Sequence, residues 1–467
     1  MNTMMTLGAA TRWLSHAVQV GNSDAVVQRV HTDTRTIEPG DLFVALQGER
    51  YDANAFLAEA QERGAAAVIC HAGLDADSYP AGLPRIEVPD TRIALGELAT
   101  GWRAQFDLPL IAVTGSNGKT TVTQMIASIL QAHAGDAALA TRGNLNNDIG
   151  VPLTLLRLRP EHRIAVVELG MNHPGEIAYL AAIAQPTVAL VNNAQREHLE
   201  FMKTIEAVAQ ENGCVLSALP SHGVAVFPQD DTYTPVWAGL SGQRRTVQFA
   251  GHHTDQADTA VLFAQWAQGA WQVQARAQEG AFHFALHIAG RHNVKNAMAA
   301  ASCALAAGVP LAAVVQGLEQ FVPVKGRSRA LSVTLQGKSY SVVDDTYNAN
   351  PDSVRAAIDV LAELPAPRLL VLGDMGEVGE EGPQFHTEAG RYAKAQGIEH
   401  FFATGVLAAS AVAAFDGAVH FADVAALNTA VSEVLPRVQS VLVKGSRFMR
   451  MERVVDALVA KEASHAA

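Results

Sequence analysis

The stretch Leu110-Ile-Ala-Val-Thr-Gly-Ser-Asn-Gly-Lys-Thr-Thr121 constrains this 467-residue chain more than any other. A run of apolar residues, Leu110 to Val113, meets Thr114-Gly115, and Gly118 follows Ser116 and Asn117. Lys119-Thr120-Thr121 then opens a segment whose apolar residues, Val122, Met125, Ile126, Ile129 and Leu130, recur at helical spacing. The pattern predicts a buried strand, a tight glycine turn and a helix start. In that geometry the backbone N–H groups of the turn converge on an anion. The helix N-terminus adds unpaired donors, and Lys119 neutralises terminal phosphates. The Thr120 hydroxyl is placed to ligand Mg2+, with Thr121 beside it. Val113 stands where the common phosphate-loop pattern has its first glycine, so this loop is the shorter T-G-x-x-G-K-T-T. The plain alternative is a glycine turn that merely contains a lysine.

A chain this long exceeds one compact core, and alternation of strand and helix patterns divides it. Residues 1–84 read as a small α/β domain: helical patterning near Ala9–Val18, strand Leu42–Leu46, helix Ala53–Arg63 with Gly64 as its C-cap, strand Ala66–Cys70. Residues 85–322 carry the phosphate loop and the short strands Ile164–Leu169, Val188–Asn192 and Gly223–Phe227. Helical segments separate those strands, which predicts a mainly parallel sheet binding ligands at the strands' carboxyl ends. Antiparallel strands are expected over Ala260–Ile288. Residues 323–467 form a second alternating unit, Rossmann-like in order but lacking G-x-G-x-x-G after its first strand, so NAD binding is not expected. The fold class expected is therefore three-domain α/β.

The net charge of −12, well mixed, argues against nucleic acid as partner. Phosphorylated ligands must then be held by a few local cations. Cys70, Cys214 and Cys303 lie far apart in apolar sequence and are expected to be reduced core thiols in a cytoplasmic protein. No signal peptide, membrane insertion or internal repeat is expected.

Glu168 closes a strand whose end should face the phosphate loop, where a carboxylate completes a Mg2+ site or simply meets solvent. His198 follows the next strand and is either a metal or substrate contact or a surface histidine. Asn293 and Asn296 share a face of the first turn of an Ala-rich helix, where amides read a purine edge or cap the helix. Asp344-Asp-Thr-Tyr-Asn-Ala-Asn-Pro351 is more polar than a turn requires. Gly326-Arg327 sits at the expected junction of the second and third domains, within reach of a nucleotide across the gap. Lys444 and Arg447 close the last strand with two cations suited to a carboxylate. Asp33 and Arg35 flank a turn and are open to either a binding or a surface reading.

These motifs, together with Thr141-Arg-Gly-Asn-Leu-Asn-Asn-Asp-Ile-Gly-Val-Pro152 and Val371-Leu-Gly-Asp-Met-Gly-Glu377, resemble the Mur ligases along nearly the whole chain. The resemblance implies an ATP- and Mg2+-dependent amide ligase acting through an acyl phosphate. The Asp344–Pro351 segment is similar to the family's members that add D-alanyl-D-alanine to UDP-N-acetylmuramoyl-tripeptide. Carried over residue by residue, it places Lys119, Glu168 and His198 in catalysis and Thr120, Glu168 and His198 around Mg2+. Gly115 to Thr121, Asn293, Asn296, Arg327 and Asp345 would hold ATP. Asp33, Thr34, Arg35, Asn144, Asn147, Tyr347, Asn348, Asn350, Lys444 and Arg447 would hold the other substrates. The N-terminal domain would take the UDP-sugar and the C-terminal domain the dipeptide, closing about a hinge at Val322–Arg327, in a monomer.

Family members commonly place a carbamylated lysine shortly after the histidine as a further metal ligand. Here Asn212 stands at that position, and Lys203 comes too early to replace it. Asn212 or water is expected there, or one fewer charged ligand. Asn54 likewise stands where a histidine is common. The rival readings are another ligase on this scaffold, adding a single amino acid or extending a folate with glutamate, and a nucleotide-binding regulator that has lost ligation.

Overall fold

The computed structural model describes residues 3–48, 51–335 and 337–465. Three α/β units follow one another along the chain, each built on its own sheet. The first sheet runs Val18–Val20, Arg85–Val88, Ala67–His71, Asp41–Val44, Arg29–His31, parallel except at its first pair. Arg85–Val88 was not anticipated, and it carries this sheet past the boundary expected after residue 84. The helix expected near Ala9–Val18 is only Leu7–Thr11, and Val18 already belongs to a strand. Alanine favours helix, but Val18–Val20 has an edge-strand partner in Arg85–Val88, and pairing overrides propensity. Asn54 is buried and accepts from the His71 backbone while donating to Asp52, so here it is a structural bracket.

The central sheet has nine strands. Leu110–Thr114 lies between Val188–Val191 and Ile164–Glu168, all parallel, with Ala138–Ala140 at one edge and Val224–Pro228 and Arg245–Ala250 leading toward the other. Thr259–Ala267 continues the parallel order, and Ala270–Ala277 and Gly280–Leu286 add the antiparallel hairpins expected from the alternation there. Side chains alternate across a strand, so Leu110 and Ala112 enter one core and Ile111 and Val113 the other. The second core holds the helix Lys119–Ala134, packed beside His292–Ala306 and Leu311–Gln320. With both faces covered, the carboxyl edge of the strands is where this sheet leaves room for a ligand.

The third sheet has six strands: Arg329–Leu335 antiparallel to Lys338–Asp345, then Ser440–Lys444, Arg368–Leu372, His400–Thr404 and Val419–Phe421 in parallel. Cys70 and Cys303 are buried, but Cys214, on the helix Ile205–Ser217, is only half-buried against the edge of the first core, which corrects the expectation of three core thiols. Among the described residues no helix is long and apolar enough to cross a membrane.

Candidate active site

The carboxyl ends of Leu110–Thr114, Ile164–Glu168 and Val188–Val191 open on a cavity of about 1150 Å3. Its far wall comes from the third unit, through Arg327, Asp345, Tyr347, Asn348, Asn350 and Lys444.

The phosphate loop forms as its sequence requires. Gly118 has φ +84°, and a Cβ there would lie 2.7 Å from the Asn192 amide nitrogen, so any side chain would collide as well as strain the backbone. Gly115 has φ +129° and closes on the Asn192–Asn193 backbone. Lys119, first residue of its helix, folds back so that Nζ reaches the carbonyls of Gly115 and Ser116 and, at 2.8 Å, Oε1 of Glu197. Thr120 donates to Oε1 of Glu168 at 3.0 Å, and Asn146 donates to the same oxygen at 2.8 Å. The other oxygen, Oε2, is buried without a partner. A buried carboxylate with one idle oxygen is costly unless a donor or cation meets it, which leaves this oxygen open to either.

His198 sits at the cavity in the left-handed region, φ +50°. Its Nε2 is 3.4 Å from Glu197 and its Nδ1 is 2.6 Å from Oε2 of Glu377, which the third unit supplies. Burial works against the charged ring, yet the two carboxylates outweigh it and push its pKa up to about 9. Among the described residues no ready-made cluster of three His, Cys, Asp or Glu side chains is set to hold a metal ion, so the expected Thr120, Glu168 and His198 converge on the cavity without a closed cage.

Several expected contacts are spent on the protein itself. Asn293 donates to the Ala289 carbonyl and accepts from Asn296, which in turn accepts from Asn192. Both amides are buried, and the network fixes Asn192 against the Asn117 carbonyl behind the loop. Asn147 accepts from the Ile149 and Gly150 backbones ahead of the helix Gly150–Leu155, and both Asn147 and Asn144 are exposed at the cavity. Lys444 is not the free cation anticipated: it is buried, 2.5 Å from Oδ2 of Asp345, and donates to the Asn348 carbonyl. Burial opposes the charge on Asp345, but Lys444 prevails and holds that carboxyl below its usual range. Arg447 lies outside the cavity lining, paired with Glu452. Asp33 and Arg35 pair with each other, and they and Thr34 also lie outside it. Arg327 lines the cavity, its guanidinium 4.0 Å above the Tyr347 ring, with Nε buried and unpartnered.

Asn212 is 1 % exposed and lies behind the loop: its Oδ1 accepts from the Thr114 hydroxyl at 2.5 Å and from the Gly115 backbone at 3.0 Å. Of the alternatives expected there, Asn212 as a ligand is set aside, because its side chain braces the strand end; water or one fewer charged ligand remains. The sequence reading missed Asn146, Arg196 and Glu197. Asn146 stood in a visibly Asn-rich run, but the other two show their meaning only against partners distant in sequence.

Residues 113–304 match the Mur ligase middle domain, residues 329–447 the glutamate ligase domain of Mur ligases, and residues 26–103 the Mur ligase family catalytic domain. The chain is 40% identical over 456 residues to the UDP-N-acetylmuramoyl-tripeptide–D-alanyl-D-alanine ligase of Escherichia coli (strain K12), covering 97% of this chain and 98% of that one. The protein of the same name from Bacillus subtilis (strain 168) is 32% identical, with 93% of each chain covered. Among solved structures, MurF from Acinetobacter baumannii superposes with a TM-score of 0.89 at 35% identity, covering 98% of this chain and 99% of that one. MurF from Thermotoga maritima, in complex with ADP, gives 0.81 at 25% identity, covering 94% and 99%.

Proposed function

The chain belongs to the Mur ligase family, and from that premise we infer that its reaction is the ATP-dependent joining of D-alanyl-D-alanine to UDP-N-acetylmuramoyl-tripeptide in peptidoglycan precursor synthesis. The observation that carries this to the site is the cavity itself. Lys119, Thr120 and Glu168 meet on its central-domain wall while Tyr347, Asn348 and Asn350, from the segment similar to the dipeptide-adding members, form the wall opposite.

Amide formation from a carboxylate needs its oxygen turned into a leaving group. The tripeptide's terminal carboxylate attacks the γ-phosphorus of ATP, ADP departs, and an acyl phosphate remains. The dipeptide amine then attacks the acyl carbon, the C–O bond breaks, and phosphate leaves carrying one carboxylate oxygen. Carboxylate and triphosphate repel, so cations must offset the charge where it develops. Lys119 supplies one. The oxygen-rich pair Thr120 and Glu168, with the idle Oε2, fits Mg2+, which is usually held by one or two protein groups plus substrate phosphates; bound there, it would neutralise phosphate charge. His198 would join that corner only after losing its proton and its carboxylate partners.

The N-terminal unit then holds the UDP-sugar, the central unit ATP, and the C-terminal unit the dipeptide. Arg327 supports the role of closing cation over the nucleotide, because its Nε is buried without a partner at the cavity. The test is phosphate release that requires ATP, UDP-N-acetylmuramoyl-tripeptide and D-alanyl-D-alanine together, with the pentapeptide product identified by mass. Release with a single amino acid or a folate in place of the dipeptide would overturn this reading.

A further inference from the structure

The four residues Gln195–His198 touch two different units in strict alternation. Gln195 and Glu197 grip the phosphate loop: Gln195 accepts from the Asn117 amide at 2.6 Å and its backbone N donates to the Ser116 hydroxyl, while Glu197 meets Lys119. Arg196 and His198 point the other way, into the C-terminal unit. Arg196 makes the denser contact. Its backbone N donates to Oδ2 of Asp352 at 2.8 Å, its Nη2 and Nε to Oδ1 at 2.7 and 3.1 Å, and its Nη1 to Oε2 of Glu388 at 2.9 Å. The guanidinium also lies 5.4 Å from the centre of the Phe385 ring. Asp352 is in the first turn of the helix Pro351–Ala362, just after Asn350, which itself donates to Asn117 of the phosphate loop at 2.9 Å.

We propose that Arg196 is a positioning residue that clamps the C-terminal unit over the phosphate loop, keeping the acyl phosphate from water until the dipeptide amine reaches it. The inference rests on the ligation reading above and adds the device that enforces it. The physics favours a clamp over a decorative surface pair. Arg196 and Asp352 are each about three-quarters buried, the pairing is multidentate, and the arginine's planar fork loses little freedom on forming it. Because its neighbours on either side hold Asn117 and Lys119, displacing the loop contacts shifts the same four residues that carry the clamp. If the clamp opens early, water attacks the acyl carbon instead of the amine, the C–O bond to phosphate breaks, and the tripeptide carboxylate is regenerated with ATP spent.

The experiment compares wild type with Arg196→Ala, Arg196→Lys and Glu388→Gln in the full chain, measuring phosphate released and amide bond formed in the same reaction. For Arg196→Ala the KM for the dipeptide should rise by about tenfold or more, and several phosphates should be released for each amide bond. The KM for ATP should rise less than the KM for the dipeptide, because no Arg196 contact falls on the loop, although Arg327 is carried by the same unit. Arg196→Lys should recover most of the coupling and Glu388→Gln should lose part of it, two milder changes that keep the question open to an answer should the alanine variant misfold. Solution scattering with a non-hydrolysable nucleotide should show a larger radius of gyration for Arg196→Ala. One phosphate per amide bond and an unchanged dipeptide KM in Arg196→Ala would overturn the clamp. Wild type that forms no amide bond at all would instead overturn the ligation reading, and the scattering result would still judge the clamp.

Discussion

Nζ of Lys119 lies 2.8 Å from Oε1 of Glu197, so the cation that should greet a phosphate is engaged by a carboxylate of its own chain. Both side chains are largely buried, 14 % and 12 % exposed, and the contact is therefore weakly screened. Nucleotide phosphate must displace this carboxylate or share it through a divalent cation.

Substitutions at these two residues separate the parts. Lys119→Ala should cut turnover by about a thousandfold or more and also lower the melting temperature, since Glu197 is left as a buried carboxylate without its lysine. Lys119→Met combined with Glu197→Gln should lose turnover and keep more of the stability. Glu197→Gln should tighten ATP binding measured in EDTA by several-fold, because the internal competitor loses its charge. Weaker binding in Glu197→Gln would mean that the carboxylate helps to seat the nucleotide.

Glu168 presents an unpartnered buried oxygen beside Thr120. Glu168→Gln keeps the shape and removes the charge, so the Mg2+ concentration for half-maximal phosphate release should rise by about tenfold. A rate profile against Mg2+ at saturating ATP reads this directly, and an unchanged midpoint would remove Glu168 from the metal site.

Asn212 braces the end of the loop strand through the Thr114 hydroxyl and the Gly115 backbone. Removing the acceptor leaves two buried donors unpaired, at a cost of about 1–3 kcal/mol. Asn212→Ala should therefore lower the denaturant midpoint and weaken nucleotide binding together. A variant as stable as wild type would show that water replaces the amide.

Burial pushes the Cys70 thiol up to about 12, and burial also raises Cys303 and, less deeply placed, Cys214. Native protein treated with a thiol reagent near neutral pH should yield at most Cys214, and all three only after unfolding. The linkage has a definite sign. Below about pH 9 the Cys70 thiol is neutral folded or unfolded; above it the unfolded chain ionises first, so stability falls progressively between pH 9 and about 12. Stability rising across that window in denaturant titrations would contradict the burial.

The phosphate loop was legible in the sequence because every part of it is local: strand, glycines, lysine and hydroxyls follow one another and share one geometry. The three α/β sheets were legible for the same reason, through alternating patterns of period two and period 3.6. Residues whose meaning depends on a distant partner were not. Arg196 looks like a surface arginine until Asp352, 156 positions later, is folded against it. Lys444 looks like a ligand cation until Asp345 is seen across the adjacent strand, and Asn293 and Asn296 look like base readers until Asn192 uses one of them. Polar groups near a site compete for ligand and for one another, and only geometry decides that competition. Arg85–Val88 was missed because a four-residue strand with two charged residues carries little periodic signal of its own.

The central claim is that the phosphate loop passes the γ-phosphoryl group of ATP to the tripeptide's own carboxylate before the amide bond forms. Tripeptide substrate with both terminal carboxylate oxygens labelled as 18O puts that claim to a direct test by mass analysis of the released phosphate. The account requires one 18O in each phosphate and one left in the new amide carbonyl. Unlabelled phosphate accompanying full amide formation would contradict it.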